Sequence, residues 1–575
     1  YNTAQSLFVL TQDLGDWVTK GLTVSIKGSF DAKNENNLSR TKTSPQWLAT
    51  GRNEAGELEF NQTKIGEENL TYKQTNKGYR SVYFEAVANW ARTFGKHDLS
   101  AMFLFQQSQK NYVGESANNS EKALPYRHQG IAGRITYNYD NRYFVEGNFG
   151  YNGSENFSPN HRFGFFPSIA VGYVVSNEKF FAPIRDVVSM VKLKASYGLV
   201  GNDQIGGDRR FIYNETVIGG GKYYFGTTPS QYTSVRLGEF PNPNVGWEKA
   251  KKLNLGADLS FFNQLNISVD YFKENREGIF LQRKSIPMYV GLSTKPWVNI
   301  GKMRNSGIDA SLEYHQPLGK DLHLTVRGNF TYARNRIMDQ DEPDYAYTYM
   351  NHSGQMQWQK FGLVAAGLFQ DQEDIDSWAK QSFGEVKPGD IKYLDLNGDG
   401  IVDNYDTKPI GYSDIPEIVY GFGFSLQWKA FDLSAFFQGV AHVSFSTLTD
   451  QTQAFVGRNL KESSVFADLY GNTWTPENPG AKYPRMTTGA IDNNNQLSTF
   501  WMANGRYLRL KNLELGYTLP KRIANKIAMQ SLRVYLSGVN LFTFSPFKLW
   551  DPDLQTGATN YPNNRIINLG LTIGF

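Results

Sequence analysis

The chain has 575 residues, a formal net charge of +4 and no cysteine, which excludes disulfides, thiolate metal ligands and cysteine nucleophiles. Lys and Arg form no block, so the charge pattern does not indicate a nucleic-acid partner. Aromatic residues reach 14%, although the mean hydropathy is only -0.48. A membrane β-barrel combines both values, because every second strand residue faces lipid and aromatic residues gather at the membrane interfaces. No run of about 18 apolar residues offers a transmembrane helix.

Segments in which apolar and polar residues alternate recur along the chain and predict β-strands. In the first of them Val24, Ile26 and Phe30 lie on one side and Lys27 lies on the other. The segments that share this pattern are 22–30, 131–139, 143–151, 191–199, 253–259, 265–271, 308–314, 324–332, 420–428, 431–437 and 532–536. Near Lys511 the apolar phase shifts by one residue, which predicts a β-bulge.

The links between these segments alternate in length. Short links lie at 94–97, 140–141, 262–264, 318–320 and 429–430, and long ones at about 31–80, 201–246, 273–306, 336–416, 445–505 and 542–564. Short turns at one rim and long loops at the other are typical of outer-membrane barrels, whereas a propeller would show a repeat of fixed length. We therefore predict an all-β fold, a transmembrane antiparallel β-barrel with roughly 18 strands in this chain and long extracellular loops.

The last residues form the clearest predicted strand. Ile567, Leu569, Leu571 and Ile573 alternate with small or polar residues, and the sequence ends on Phe575. An aromatic residue at this place is typical of the membrane interface, so we place Phe575 at the periplasmic rim. Counting the strands back from it puts every short turn on the periplasmic side and every long loop outside. We expect the protein in the cell outer membrane of a Gram-negative bacterium.

A series of motifs, in collinear order, resembles the barrel of the SusC/RagA-type TonB-dependent transporters. The motifs are Asn242-Pro-Asn-Val-Gly-Trp-Glu248, Pro388-Gly-Asp-Ile-Lys-Tyr-Leu-Asp-Leu-Asn-Gly-Asp-Gly-Ile-Val-Asp403, Ile415-Pro-Glu-Ile-Val-Tyr-Gly-Phe422, Trp474-Thr-Pro-Glu-Asn-Pro479, Arg506-Tyr-Leu-Arg-Leu-Lys-Asn-Leu-Glu-Leu-Gly-Tyr517, Ser537-Gly-Val-Asn-Leu-Phe542 and Gly574-Phe575. Together they cover essentially the whole chain.

This resemblance implies a barrel of about 22 strands around an N-terminal plug. It also implies a TonB box that couples to the inner-membrane motor, and a SusD-like surface lipoprotein as a lid. The sequence has no counterpart of the plug or the TonB box, so we expect 1–575 to be the C-terminal part of a longer polypeptide. A plug-bearing N-terminal segment or chain would complete the barrel, because open sheet edges are costly in outer-membrane lipid.

The long loop at 336–416 contains the spacing of an EF-hand-like calcium loop. Five positions of the motif carry an oxygen-bearing side chain, Gly400 allows the sharp turn at its centre, and Ile401 can offer its backbone carbonyl. The ligand positions are Asp395, Asn397, Asp399, Ile401, Asp403 and Asp406. We expect a structural Ca²⁺ here, because the number of ligands favours calcium over magnesium. The last position is Asp where EF-hands have Glu, and no helix pattern flanks the loop. An Asx-rich turn without an ion is the alternative.

The same loop carries aromatic residues that are candidates for substrate binding: Tyr345, Tyr347, Tyr349 and Trp358. Flat aromatic faces beside amide side chains suit sugar rings or peptide side chains. Packing between loops, or against the lid, is the plainer interpretation of each residue.

No pattern in the sequence indicates an enzyme. The seven His residues form no closely spaced pair that would suggest zinc, and the nucleophile-elbow and Walker patterns are missing. Together with the loop polarity, the resemblance to SusC/RagA-type transporters implies the barrel part of a TonB-dependent active importer that moves oligosaccharides together with a SusD-like lipoprotein. An oligopeptide importer of the same family is the first alternative. A passive porin and a soluble β-rich binding protein are the others.

Overall fold

The computed structural model describes residues 1–117, 120–206, 209–227, 230–292, 294–449, 452–453, 465–487, 489–527, 529–557 and 560–575. Its largest element is an antiparallel sheet of seventeen strands. The strands are β1 (Asn2–Asp13), β2 (Leu22–Thr41), β3 (Thr71–Phe94), β4 (His97–Gly114), β5 (Tyr126–Tyr139), β6 (Tyr143–Ser154), β7 (Phe163–Val174), β8 (Val188–Asn202), β9 (Glu248–Phe261), β10 (Leu265–Gln282), β11 (Trp297–Pro317), β12 (Leu322–Asp339), β13 (Ile418–Trp428), β14 (Phe431–Ala441), β15 (Tyr507–Thr518), β16 (Ser531–Phe544) and β17 (Ile566–Gly574).

Each strand from β2 to β16 pairs with the strands before and after it in the chain, as in an up-and-down barrel. The predicted all-β fold is confirmed, and its seventeen strands compare with the roughly 18 expected. Within the described residues, β1 and β17 each pair with a single neighbour, so this part of the sheet has two free edges. None of the helices in the described residues has the length and apolar character needed to cross a membrane.

Tight turns join strands at one rim only. The β5–β6 turn places Asp140 and Asn141 at φ of 54° and 53°, and the β9–β10 turn places Phe262 and Asn263 at 54° and 56°. Two successive residues with positive φ match the right-handed twist of the flanking strands. The long links all leave the opposite rim, at 42–70, 203–247, 283–296, 340–417, 442–506 and 545–565. The predicted polarity of turns and loops is thereby confirmed.

The outer face of the sheet is apolar and exposed. Leu569 and Leu571 of β17 are 79% and 57% exposed, and they lie opposite Leu536 and Val534 of β16. Large apolar side chains left open on a wide surface need lipid or another apolar partner. The alternation seen in the sequence therefore corresponds to a lipid-facing belt.

The inner face carries charged pairs instead. Lys27 of β2 donates to Glu85 of β3 at 2.8 Å, in the register that pairs these two residues. Lys194 of β8 lies 2.9 Å from Asp258 and 3.1 Å from Asp270. These pairs link nearby strands along the inner face of the sheet, which is polar as the alternation predicts.

Two of the expected loops are shorter than predicted. The segment expected at 31–80 is reduced to 42–70, because β2 continues to Thr41 and β3 begins at Thr71. The segment expected at 273–306 is reduced to 283–296. The extensions of β2 and β3 are polar, and those of β10 and β11 contain apolar residues such as Ile279, Phe280 and Trp297 that do not alternate regularly, so the pattern does not reveal them. The bulge is confirmed, since the β15–β16 register shifts between Leu510 and Asn512.

The loops contain their own short elements. The strands are Gln46–Arg52, Leu58–Lys64, Val217–Phe225, Ser230–Leu237, Lys360–Gly362, Ala365–Leu368, Lys380–Gln381, Ile391–Tyr393, Ile401–Val402, Lys408–Ile410, Ser444–Ser446 and Met502–Asn504. The helices are Ser120–Ala123, Gln372–Asp376 and Lys521–Ala524, and the 3-10 turns are Glu115–Ala117, Val175–Asn177, Lys179–Ile184, Met288–Val290, Thr348–Met350, Asn404–Asp406, Ala467–Leu469, Asn525–Ile527 and Pro552–Leu554.

Candidate functional site

The two longest loops pack against each other and form one body, which we call the loop lobe (the described residues of 340–417 and 442–506). Leu363 donates its backbone N–H to Leu497 at 2.9 Å and accepts from Thr499 at 3.0 Å, which joins the two loops directly. The buried core that they share consists of Leu363, Leu368, Ile391, Tyr393, Val402, Leu469, Trp474, Tyr483 and Trp501. A core of this size gives the lobe a fixed shape rather than that of separate surface loops.

A buried carboxylate holds the centre of the loop lobe. Asp390 is fully buried, and Nε of Arg485 lies 2.8 Å from its Oδ1. Asn494 donates to the same carboxylate at 2.9 Å, and the Lys387 backbone N–H donates at 2.8 Å. An ion pair with this many hydrogen bonds compensates for the cost of burying the charge. Asp390 lies in the motif at 388–403, but its contacts with Arg485 and Asn494 could not be predicted, because these residues are about a hundred positions away in the chain.

The predicted calcium motif folds as a compact acidic turn in the loop lobe. Both oxygens of Asp395 accept backbone N–H groups, from Gly398 at 2.7 Å and from Gly400 at 2.8 Å. Asn397 accepts from the Asp399 backbone at 2.9 Å, and Asp399 accepts from the Ile401 backbone at 2.8 Å. The glycines at 398 and 400 adopt positive φ, which permits the sharp turn.

Asp406 closes this acidic turn. It is fully buried and accepts backbone N–H groups from Leu396 at 2.7 Å and from Asp403 at 2.8 Å. In the described residues, none of the four motif carboxylates lies within 4.0 Å of a Lys or Arg nitrogen. Nor do three His, Asp or Glu side chains meet anywhere in this part of the chain as an ion site would require. The carboxylates are thus engaged by amides, and their negative charge is left without a cationic partner.

Two of the predicted aromatic residues lie on this acidic turn. Tyr347 and Tyr349 stack with ring centroids 5.4 Å apart, and Tyr405 meets Tyr347 edge-on at 6.2 Å. The Tyr349 hydroxyl donates to the Tyr405 carbonyl at 2.8 Å. Burial, and then the nearby charge of Asp406, raises the pKa of Tyr349. We call Tyr347, Tyr349 and Tyr405 the tyrosine cluster; the sequence analysis had not included Tyr405.

The other two predicted aromatic residues lie apart from that cluster. Tyr345 packs on His352 with ring centroids 5.9 Å apart, and His352 stacks on Phe361 at 3.9 Å. Burial lowers the pKa of His352, with Glu342 acting in the opposite direction. Trp358 is 59% exposed and adopts a φ of 61°. The structure therefore brings together Tyr347 and Tyr349 but not all four predicted residues.

Asp341 ties the loop lobe to the neighbouring loop at 283–296. Its carboxylate accepts from Arg283 Nε at 2.9 Å, from the Lys284 backbone at 2.7 Å and from the Ser285 hydroxyl at 2.8 Å. Burial opposes ionisation of this group, but the hydrogen bonds from Ser285 and Arg283 outweigh it and lower the pKa of Asp341 to about 2. The contact depends on the charged form of the carboxylate.

Three side chains fasten the lobe where it leaves the sheet. Arg334 of β12 makes two hydrogen bonds to Glu417, at 2.5 and 2.8 Å. His442, directly after β14, lies 3.1 Å from the same carboxylate and stacks on Tyr412. Both long loops are thereby anchored to the rim of the sheet at one point. Glu417 belongs to the motif at 415–422, whereas no sequence motif noted above includes Arg334 or His442.

The exposed apolar belt, the polar inner face and the one-sided loops define a large membrane β-barrel. The model of one such family, TonB dependent receptor-like, beta-barrel, matches residues 2–541. The chain therefore belongs to this family. Barrels of this family are placed in the outer membrane, as predicted. The resemblance to SusC/RagA-type barrels is confirmed by the relatives described next.

Named relatives are 25–28% identical to the chain over the aligned residues. TonB-dependent receptor P3 of Formosa agariphila is 28% identical over 96% of this chain and 56% of its own length. TonB-dependent receptor SusC of Bacteroides thetaiotaomicron is 27% identical over 77% of this chain and 43% of its own. The chain thus spans about half the length of the named relatives.

A solved structure shares the fold. The match to the structure described as the RagAB peptide transporter covers all of this chain and 62% of the matched chain, with a TM-score of 0.73 and 21% sequence identity. At this identity the match supports the barrel fold alone. The named relatives are called TonB-dependent receptors, which agrees with the coarse expectation of a non-enzymatic role.

Proposed function

We propose that this chain is the barrel part of a TonB-dependent active importer that moves oligosaccharides across the outer membrane together with a SusD-like surface lipoprotein. The observation that carries the proposal is the loop lobe, a body with its own core on the outer rim of a polar-lined sheet. A rigid surface above a wet lumen is suited to capture a large polar substrate and to receive a lid.

In this proposal the chain supplies the wall, the loops and the docking surface. Substrate is caught between the lobe and the lipoprotein and is released inward when TonB pulls on a plug. The plug and the strands that close the sheet come from an N-terminal segment or a separate chain. The free edges of β1 and β17 support this requirement, because each unpaired backbone group in lipid costs several kcal/mol.

The aromatic residues of the lobe are proposed to contact substrate. Tyr347 and Tyr349 present a stacked pair, Trp358 is 59% exposed, and Tyr345 extends the aromatic surface toward His352. Replacing Trp358 by Ala removes an exposed ring and should weaken substrate binding by about tenfold, as is common for aromatic contacts. Trp428, which is also exposed but lies at the opposite rim, provides the matched control.

Calcium at 395–406 remains a prediction that rests on the spacing of the oxygen-bearing residues. In the described residues these side chains bond backbone amides and are not gathered into an ion site, so binding would require them to turn toward the ion. A bound ion would compensate the charge of Asp395, Asp399 and Asp403 and would hold the turn that carries Tyr405. Calcium should then raise the melting temperature of the full protein in detergent, and Asp399→Asn should abolish that rise. If neither EGTA nor calcium changes the melting temperature, the turn at 395–406 does not bind calcium.

Uptake assays test the proposal as a whole. Cells that carry the full-length protein are supplied with labelled neutral oligosaccharides or with labelled oligopeptides, with and without a functional TonB. We expect TonB-dependent uptake of oligosaccharides that also requires the partner lipoprotein. Uptake of peptides alone would support the oligopeptide alternative, and uptake that persists without TonB would support a porin.

A further inference from the structure

A cavity of about 410 Å³ lies in the wall of the barrel, apart from the loop lobe. Its lining includes Gln106, His128, Asn152, Phe166 and Trp247. Gln106 and Asn152 are both paired in register with Gly130, so they stand at one level of the sheet. Since β6 ends at Ser154, this level is just inside the rim from which the long loops leave. Any substrate that passes from the loops into the lumen meets this wall.

The aromatic part of the cavity is held in a fixed orientation. Trp247 donates its ring N–H to the Arg162 carbonyl at 3.1 Å. Its ring packs against Phe166 at 5.2 Å, nearly edge-on, and against Phe157 at 5.4 Å. A Cβ at position 164 would overlap the Phe166 ring, so the glycine found there provides room for that ring. The aromatic surface is therefore formed before any ligand arrives.

The polar part consists of amides that face open space. The side chain of Asn152 lies over Gly130 and Gly150, where a Cβ at position 130 would overlap its Oδ1. Within the described residues Asn152 makes no side-chain hydrogen bond, and its polar atoms are not among the buried ones. Gln106 makes a single weak bond as acceptor, from the Tyr83 hydroxyl at 3.4 Å. These amides have donors and acceptors available for a ligand.

The charges of the lining indicate the class of ligand. Among the described residues that line the cavity there is no Lys, Arg, Asp or Glu, and His128 is the one titratable group. Peptide recognition commonly uses charged groups for the termini or a free strand edge for the main chain, and this wall has neither. A sugar ring matches the wall better, since its C–H face packs on an aromatic ring and its hydroxyls pair with amides.

We propose that this cavity is a subsite for a neutral sugar unit on the barrel wall, used when an oligosaccharide moves from the loops into the lumen. Its volume is within the range of small-molecule sites. This inference rests on the proposed function and adds a second contact region below the loop lobe. Asn152 and Gln106 would hold the hydroxyls, while Trp247 and Phe166 would support the ring.

The test measures binding to the full-length protein in detergent. The probes are neutral oligosaccharides that cover α- and β-linked glucans, mannans, xylans, galactans and fructans, together with a pool of hexapeptides. Asn152→Ala and Gln106→Ala should each weaken binding of the recognised oligosaccharide by about tenfold, because each removes hydrogen bonds to a desolvated ligand. Asn148→Ala is the matched control, since Asn148 lies on the same strand and the same face but does not line the cavity.

The outcomes separate the two proposals. The subsite is overturned if Asn152→Ala binds the sugar within twofold of wild type, or if Asn148→Ala weakens binding as much as Asn152→Ala does. Either result leaves the importer function intact. Binding of peptides with no binding of any oligosaccharide overturns both the sugar substrate and the subsite. If unheated and heated samples of the three variants differ in gel migration as they do for the wild type, the barrel is folded, and loss of the amide rather than misfolding accounts for the weaker binding.

Discussion

Replacing Arg485 by Met should loosen the loop lobe without unfolding the barrel. Asp390 is fully buried, and the substitution removes the Arg485 contacts at 2.8 and 3.0 Å while the carboxylate stays in place. Removing one partner of a buried ion pair costs about 3–5 kcal/mol. The bonds from Asn494 and Lys387 remain, so we expect the low end of that range, about 3 kcal/mol.

Hydrogen exchange provides the assay, because the lobe can open while the barrel stays folded. A loss of about 3 kcal/mol corresponds to exchange roughly 100-fold faster in peptides from 360–417 and 465–487. Glu385→Gln is the control: its pair with Lys387 is exposed, spans 3.6 Å and should contribute below about 1 kcal/mol. Adding Asp390→Asn to Arg485→Met should recover part of the protection, since the uncompensated charge is then gone. Exchange in Arg485→Met that matches Glu385→Gln would refute the reasoning.

Three further changes test other parts of the structure. Gly389→Ala should raise protease sensitivity of the lobe, because Gly389 adopts a φ of 89° and its Cβ would overlap Trp474; Gly480→Ala, with open space around it, should not. Asp341→Asn should make 283–296 sensitive to pepsin at pH 4. In the wild type the Asp341 carboxylate stays charged at that pH, and protection should be lost only as the pH falls from about 4 toward 2, the pKa of Asp341 in the folded state. Deleting Lys511 should remove the bulge and leave Leu510 and Leu513 in one regular alternation on the lipid face, so the variant should keep the heat-sensitive gel migration of a folded barrel. Loss of that migration would contradict this placement of the bulge.

Strands that cross the membrane could be predicted from sequence because each has one lipid-facing side. The predicted segment 420–428 lies within β13 (Ile418–Trp428), and 431–437 lies within β14 (Phe431–Ala441). β1 was harder to predict, since Leu7, Phe8, Val9 and Leu10 form an apolar run without alternation. The outer halves of β2 and β3 were missed for the opposite reason: beyond the belt both faces are polar, so pairing continues where the pattern has stopped.

The candidate site was only partly predictable. The acidic turn at 395–406 has a local signature, because its glycines and Asx residues are close in sequence. The lobe that carries it depends on contacts between residues far apart in the chain, such as Asp390 with Arg485, and no periodicity marks them. The same holds for the wall cavity, where Asn152 lies in β6 and Trp247 lies at the end of the loop before β9.

Spin-label accessibility along β16 tests the central claim, a sheet with lipid on one face and a wet lumen on the other. Residues 1–575 contain no cysteine, so a single cysteine placed at each position of 533–537 adds one label to this part of the full-length protein in lipid bilayers. Labels at Val534 and Leu536 should be accessible to oxygen, and those at Arg533, Tyr535 and Ser537 to a water-soluble nickel complex. A profile without this period of two, or with the nickel complex reaching every position, would contradict the account.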